Sequence, residues 1–320
     1  VRPLMVPISA SAHYFFFLQQ RAEYGVGMLR GFRRLPFRSL AATLALPFDS
    51  IVVIDNDSTD GTREWLKAQS DPRLHCCFSP VNSGGAGGFS RGVAYIAENL
   101  TTDWVVFYDD DAWPDHSFID NFSRIVDGRY ELYCARVLSA EGRLCPMNVP
   151  WSAPQDTFFA AIHSLVNKHA FIPDPDTPGG VCTFSFVGAI VSSRLIRESG
   201  DLIEKDFFIY FDDVCYSWRL FSQGNPILYH PELIMHHDVP SAVSDLPAWK
   251  HYYLLRNLLV FRRLRDCPPL FGRTATALRI AHSLLRAMKS PQRLYCLRLL
   301  VKAVWHAFSG KRPMPGKPGL

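Results

Sequence analysis

Ser50-Ile51-Val52-Val53-Ile54-Asp55 is a short β-branched run that stops at polar residues, the pattern of a parallel strand buried on both faces. The polar stretch 56–61 reads as its loop. Thr62 to Gln69 suits a helix with Asp60 as N-cap and Trp65 and Leu66 facing inward. Leu74 to Phe78 predicts a second strand. After it, Asn82-Ser83-Gly84-Gly85-Ala86-Gly87-Gly88-Phe89 opens a helix whose Phe89, Val93, Ile96 and Ala97 follow the i, i+4, i+7, i+8 spacing of one apolar face. Trp104 to Tyr108 predicts a third strand, which ends on Asp109-Asp110-Asp111. Strands and helices alternating at this length indicate an α/β domain around a mainly parallel sheet.

Residues 139–183 are rich in Pro, Gly and small polar residues and read as a long loop of the kind that shapes a pocket. Phe184 to Ser192 and Phe207 to Phe211 are strand-like, Asp212-Asp213 follows, and Tyr216 to Phe221 predicts a helix. Leu233 to Asp238 places His236 and His237 at another strand end. From residue 251 the pattern changes to amphipathic helices. Ala281, Leu284, Leu285 and Met288 make one stripe, with Arg279, Arg286 and Arg293 recurring every seven residues; Leu294, Leu297, Val301, Val304, Trp305 and Phe308 make another. Such helices lie on anionic membrane surfaces or pack as an ordinary subdomain with their arginines in water.

Composition narrows the classes. At 320 residues and 48% hydrophobic, the chain buries a full core and is neither disordered nor fibrous. The net charge of +4 is modest, but residues 251–320 hold fourteen Lys or Arg and one acidic residue, Asp266. A nucleic-acid partner is not expected; an anionic membrane surface is compatible with this asymmetry. Eight cysteines show no CxxC and no zinc-like spacing, which suits a reduced, cytosolic protein. No apolar run reaches the roughly 18 residues of a spanning helix. Two prolines interrupt the short apolar run that precedes Ser9-Ala10-Ser11-Ala12, so a cleaved signal peptide is not expected.

The chemistry collects at strand ends, where ligands of such sheets sit. A glycine-lined backbone approaches a diphosphate closely, and a carboxylate cluster holds the divalent cation that neutralises it. Three adjacent aspartates repel one another unless a cation compensates, and hard oxygen ligands beside a diphosphate favour Mg2+ or Mn2+; a solvated acidic turn is the alternative. Asp212 and Asp213 suit a general base opposite the metal, or an acidic helix start favoured by the helix dipole. His236 or His237 offers a nitrogen ligand, against a structural role. A dinucleotide fingerprint is imitated by Gly85-Ala86-Gly87 with Asp109 further on, but Ser90 stands where the third glycine belongs.

As a set these motifs resemble a family 2 glycosyltransferase of the GT-A fold. Val52 to Thr62 resembles that family's nucleotide-binding strand and loop, Asp109-Asp110-Asp111 its DxD-type metal motif, and Phe211-Asp212-Asp213 its catalytic acidic motif. Asn82 to Phe89 and Tyr253-Leu254-Leu255-Arg256-Asn257 are similar to segments of bacterial galactofuranosyltransferases. The resemblance covers about residues 50–265 and implies a GT-A catalytic domain over 50–245 and a basic helical, membrane-associating region over 246–320. It implies that Asp55, Asn56, Asn82, Gly84, Gly85, Gly87, Gly88, Asp109 and Asp110 bind the nucleotide-sugar. Asp109, Asp111 and His236 would hold Mn2+ or Mg2+, and Asp213, with Asp212 beside it, would serve as base. The implied reaction is an inverting transfer, of galactofuranose from UDP-galactofuranose, to a hydroxyl of a cell-surface glycan or lipid-linked acceptor at the inner face of the bacterial plasma membrane. A rhamnosyltransferase using dTDP-rhamnose, and a non-catalytic nucleotide-sugar-binding protein, are the alternatives. Residues 1–49 depart from the pattern: the expected first strand and its uracil-gripping motif have no clear equivalent, while Leu40 to Phe48 suits the helix and turn before the second strand.

Overall fold

The computed structural model describes residues 14–20, 35–239 and 247–310. Ser9 to Ala12, the stretch where a uracil-gripping motif is expected after the first strand, the boundary expected near residue 245, and the last ten residues lie outside the described residues.

Among the described residues, nine strands form one sheet. They are β1 (Tyr14–Gln20), β2 (Ser50–Asp55), β3 (Leu74–Phe78), β4 (Trp104–Asp109), β5 (Ala112–Pro114), β6 (Leu132–Ser139), β7 (Gly179–Val181), β8 (Ala189–Ser192) and β9 (Ile227–His237). Their order is β3-β2-β1-β4-β8-β6-β9-β5, with β7 also on β9. From β3 to β4 the sheet is parallel. Beyond β4 it is mixed, with β8 antiparallel to both its neighbours and β6 parallel to β9. The aromatic segment in the atypical N-terminal stretch is thus a central strand, pairing with β2 from Phe15 opposite Ser50 and with β4 from Tyr14 opposite Trp104.

Period-2 alternation with apolar residues on both sides explains why the inner strands are wholly buried. Ile51 and Val53 enter one core and Val52 and Ile54 the other; Val106 and Tyr108 oppose Val105 and Phe107 in the same way. Each such side chain contributes about 1.5–3 kcal/mol by leaving water. Helix α1 (Leu35–Leu44) covers the first face, where Ser39 Oγ donates to the Ala112 carbonyl at 2.6 Å and Thr43 Oγ1 meets the Tyr108 hydroxyl at 2.8 Å. Helix α2 (Thr62–Lys67) starts after Gly61, and Asp60 Oδ1 accepts from the Thr62 amide at 3.2 Å. Helix α3 (Gly84–Asn99) buries Phe89, Val93 and Ile96, and α4 (Phe118–Ile125) buries Phe118, Ile119 and Phe122.

Two strand expectations are corrected. Phe184 to Phe186 precede β8 in irregular structure, and Gly188 turns the chain with φ +87° where a Cβ would lie 2.8 Å from Ala135 Cβ. Phe207 to Phe211 is no strand either: Phe208, Tyr210 and Phe211 all take positive φ, a conformation that the surrounding bonds impose on bulky residues. The long segment 139–183 contains a helix of its own, α5 (Phe158–Val166), besides β7. Helices α6 (Ser193–Ser199) and α7 (Asp212–Ser222) pack on the sheet. A second group follows in the C-terminal region, α8 (Ala248–Phe261), α9 (Arg273–Lys289) and α10 (Arg293–Ser309), sharing a core of Tyr252, Tyr253, Leu255, Leu299 and Leu300. Among the described residues, no helix is long and apolar enough to cross a membrane.

Candidate active site

Strand β4 runs into a turn at Asp110 and Asp111 and returns as β5, which pairs with the end of β9. That closure brings Asp109, Asp111 and His237 together, with one possible ligand atom of each within 4.8 Å of the others. The candidate cluster contains His237 and not the expected His236. Successive side chains on a strand point to opposite faces. His236 therefore stacks on Trp113 with ring centroids 5.6 Å apart and places Nε2 3.3 Å from Asp115 Oδ2, away from the aspartates. His237 is buried, with Nε2 3.1 Å from Asp111 Oδ1 and Nδ1 2.8 Å from Asn148 Oδ1.

Asn148 orients that ring. Its amide nitrogen donates to Ser185 Oγ at 2.9 Å, so its oxygen faces His237, and Nδ1 carries the proton. Nε2 then faces the aspartates. Burial pulls the imidazolium down, but the bond to Asp111 and the charges of Asp111 and Asp109 outweigh it and push the group up to about 10. Without a metal the ring is thus an imidazolium; were Mn2+ or Mg2+ to bind, it would displace the Nε2 proton, and two carboxylates with one imidazole would form the donor set.

A cavity of about 230 Å3 opens beside this group, lined by Gly85, Asp109, Asp212, Asp213 and His237. Asp213 enters from the first turn of α7. Protein on most sides strips its hydration and pushes the carboxyl up to about 6; the Asp109 charge adds to the rise, while bonds from Val214, Phe186 and Ser185 oppose it. Asp212 is buried one residue earlier.

The glycine run is the start of a helix rather than a loop. Gly84 has φ +68°, and a Cβ there would meet the Phe208 carbonyl oxygen at 2.1 Å; at Gly87 it would meet Ser83 Cβ at 2.3 Å. The Ala86 amide donates to the Phe208 carbonyl at 3.2 Å. Asn56 and Asn82 hold the run in place: Asn56 Nδ2 donates to the Gly84 carbonyl at 2.9 Å and Asn82 Oδ1 accepts from the Gly84 amide at 2.9 Å. Asp55 ends β2 fully buried, its Oδ2 accepting from Arg63 Nε at 2.7 Å. Gly88 is buried in α3, and Asp110 is half-buried in the turn.

Two contributors, Asn148 and Arg63, carry no sequence signal. Asn148 lies in the Pro-rich segment that reads as loop. Arg63 reads as an ordinary helix residue. Asn257, within the Tyr253–Asn257 motif, reaches from α8 to the 207–211 loop, where its Nδ2 lies within 2.8–2.9 Å of the carbonyls of Phe207, Ile209 and Tyr210. Side-chain amides facing backbone across 48 residues leave no periodic trace.

The mixed sheet is consistent with the GT-A fold, and residues 37–175 match the profile of glycosyl transferase family 2. The chain carries a glycosyltransferase domain. Three solved structures are similar to the chain, with GalNAc-T7 above a TM-score of 0.5. The S. aureus TarS 1–349 crystal structure is 11% identical with a TM-score of 0.49, covering 94% of this chain and 73% of that one. The S. aureus TarS crystal structure is 12% identical with a TM-score of 0.48, covering 94% and 44%. GalNAc-T7 with UDP, GalNAc and Mn2+ is 11% identical with a TM-score of 0.53, covering 97% and 59%. This chain thus spans less than two thirds of the length of the TarS and GalNAc-T7 chains last named. No curated protein matches the sequence.

Proposed function

We propose that the chain transfers galactofuranose from UDP-galactofuranose, with inversion, to a hydroxyl of a cell-surface glycan or lipid-linked acceptor. The observation that carries the reading is the cavity of about 230 Å3 with Asp109 and His237 on one wall and a protonatable Asp213 on another. GalNAc-T7, similar in fold, holds UDP and Mn2+, which supports a nucleotide-sugar and a cation here.

Asp109, Asp111 and His237 hold the cation, with His237 taking the place expected of His236. Bound there, Mn2+ or Mg2+ supplies Lewis-acid charge for the departing diphosphate. Gly85 faces the donor from the cavity wall, Gly84 and Gly87 let α3 start against Phe208 and Ser83, and Gly88, Asp55, Asn56, Asn82 and Asp110 serve the nucleotide side. Asp213, with Asp212 behind it, takes the proton of the acceptor hydroxyl as that oxygen bonds to the anomeric carbon. The bond from that carbon to the diphosphate breaks, and UDP leaves.

The basic C-terminal helices hold the enzyme at the inner face of the bacterial plasma membrane, each basic residue near the surface contributing about 1 kcal/mol. The test is transfer from UDP-galactofuranose, UDP-galactopyranose and dTDP-rhamnose with Mn2+ present. Turnover of UDP-galactofuranose that is lost in Asp213→Asn, with UDP binding kept, upholds the reading; preference for dTDP-rhamnose moves it to a rhamnosyltransferase, and binding without turnover moves it to a non-catalytic protein.

A further inference from the structure

A second cavity, of about 390 Å3, lies between α5, α8 and α9. Lys168, Arg279, Arg286, His251 and His282 line it, and no Asp or Glu does. Phe211 and Leu254 line both this cavity and the catalytic one, so the two share a wall.

Two groups on its wall lack the partners that their chemistry calls for. Gln155 is 2% exposed, and its side-chain oxygen has no hydrogen-bond partner among the described residues. Its backbone is pinned on both sides, the amide donating to the Leu270 carbonyl at 2.8 Å and the carbonyl accepting from the Gly272 amide at 2.8 Å. The fit is close there, since a Cβ on Gly272 would lie 1.9 Å from the Asp156 carbonyl oxygen. A buried acceptor left unmet is costly, and a hydroxyl donor satisfies it.

Arg279 is the second group. Its guanidinium lies 3.9 Å from the ring centroid of Phe271 and 5.7 Å from that of Trp151, so aromatic rings hold the charge without neutralising it. It donates to the Ala275 carbonyl at 3.3 Å, which engages one of the five N–H donors a guanidinium carries. Burial alone pulls it down to about 10, so it stays charged at neutral pH, with no carboxylate on the cavity wall. A planar fork of donors in this setting suits an oxyanion.

The two needs select among ligands. A neutral sugar leaves the Arg279 charge uncompensated, a bare anion leaves the Gln155 oxygen unmet, and a hydrocarbon answers neither. A sugar that carries an anionic group answers both, and Trp151 and Phe211 give the same cavity aromatic surface for its ring.

We propose that this cavity binds an acidic sugar residue, with its phosphate or carboxylate on Arg279 and a ring hydroxyl on Gln155. The shared wall at Phe211 and Leu254 makes it the neighbour of the residue that receives the transferred sugar, so that the acceptor is an anionic glycan. That role rests on the sugar-transfer reading; the acidic-sugar site stands on its own residues.

The probes are glucose 6-phosphate and glucuronate, titrated calorimetrically into the full chain against glucose and against the bare anions inorganic phosphate and acetate. EDTA is present, which keeps metal-dependent phosphate binding out of the catalytic cavity. At least one of the two acids is expected to bind about tenfold or more tightly than glucose and than its bare anion, because charge-assisted and hydroxyl contacts are made together. The tighter acid identifies the anion as phosphate or carboxylate. Arg279→Gln is expected to weaken that acid by about tenfold or more, and Gln155→Leu by about threefold or more with the bare anion unchanged. The rim variant Lys168→Glu with Arg286→Glu is expected to weaken it by about threefold or more. Both rim residues are exposed, so this variant keeps the test open if a buried one fails to fold. UDP binding in Mn2+ is expected to be unchanged in all three. Equal binding of glucose, equal binding of the bare anion, no binding of either acid, or an unaffected rim variant overturns the proposal. Binding of an acid with no UDP binding in Mn2+ upholds the acidic-sugar site and removes the sugar-transfer reading, whereas UDP binding with neither acid bound removes this proposal alone.

Discussion

His237 Nε2 lies 3.1 Å from Asp111 Oδ1, joining the end of β9 to the turn after β4 across 126 positions of sequence. The contact exists because β5 pairs antiparallel with β9 in a register that sets Ala112 opposite His237 and Trp113 opposite His236. One step of register would exchange the two histidines. Titration of Mn2+ is therefore expected to separate them: His237→Ala weakens binding by at least about tenfold, and His236→Ala changes it by less than about twofold.

Asn148 positions the His237 ring, its Oδ1 lying 2.8 Å from Nδ1. Asn148→Leu removes the acceptor of the Nδ1 proton and leaves a buried donor unsatisfied, at a cost of about 1–3 kcal/mol. Mn2+ affinity is expected to fall about 10–100-fold. A parallel calorimetric and thermal-melt comparison checks this, since a purely structural role would lower Tm and leave the Mn2+ affinity of the folded fraction unchanged.

Asp213 sets a pH dependence. As a base it works ionised, so kcat/KM is expected to rise through about pH 6, with the midpoint falling once a cation offsets the Asp109 charge. Asp213→Asn is expected to lower kcat by about 10²–10⁴-fold and to flatten that limb. The linkage has the opposite sign. A carboxyl raised above its ordinary 3.8 holds its proton longer in the folded state, so its contribution to stability falls as pH rises from about 4 to about 6. Chemical denaturation at pH 7 is thus expected to find Asp213→Asn at least as stable as the parent.

Gly84 and Asn257 both meet the 207–211 loop. Gly84→Ala puts a methyl group into the Phe208 carbonyl in a left-handed conformation, and is expected to cost about 1–3 kcal/mol. Asn257 offers two N–H donors to three carbonyls, one donor being shared. Asn257→Leu is expected to release Tyr210 and Phe211 from the catalytic cavity and to raise the donor KM more than it lowers kcat; the steady-state kinetics of soluble, folded variant check it.

Much of the fold was legible because its parallel half rests on local pattern. Val52 to Asp55, Leu74 to Phe78 and Trp104 to Tyr108 announce buried strands by composition and length, and the Phe89–Val93–Ile96 face announces its helix. The carboxylates that line the candidate cavity were legible where they cluster in sequence, as at Asp109 and at Asp212-Asp213. What was not legible depends on partners far away. The strand-like Phe207 to Phe211 is bent into positive φ by bonds from Asn257 and α3, and the choice of His237 depends on the pairing of β9 with β5. β1 escaped notice because its aromatic residues lack the Val-rich signature, yet its hydrogen bonds to β2 and β4 are those of a central strand.

The central claim is a cation-dependent nucleotide-sugar site, and calorimetric titration of UDP-galactofuranose, with Mn2+ and again with EDTA, tests it most directly. Binding in Mn2+ that disappears in EDTA and in His237→Ala is the expected result. Binding that is equal in EDTA, or absent with Mn2+ present, would contradict the account.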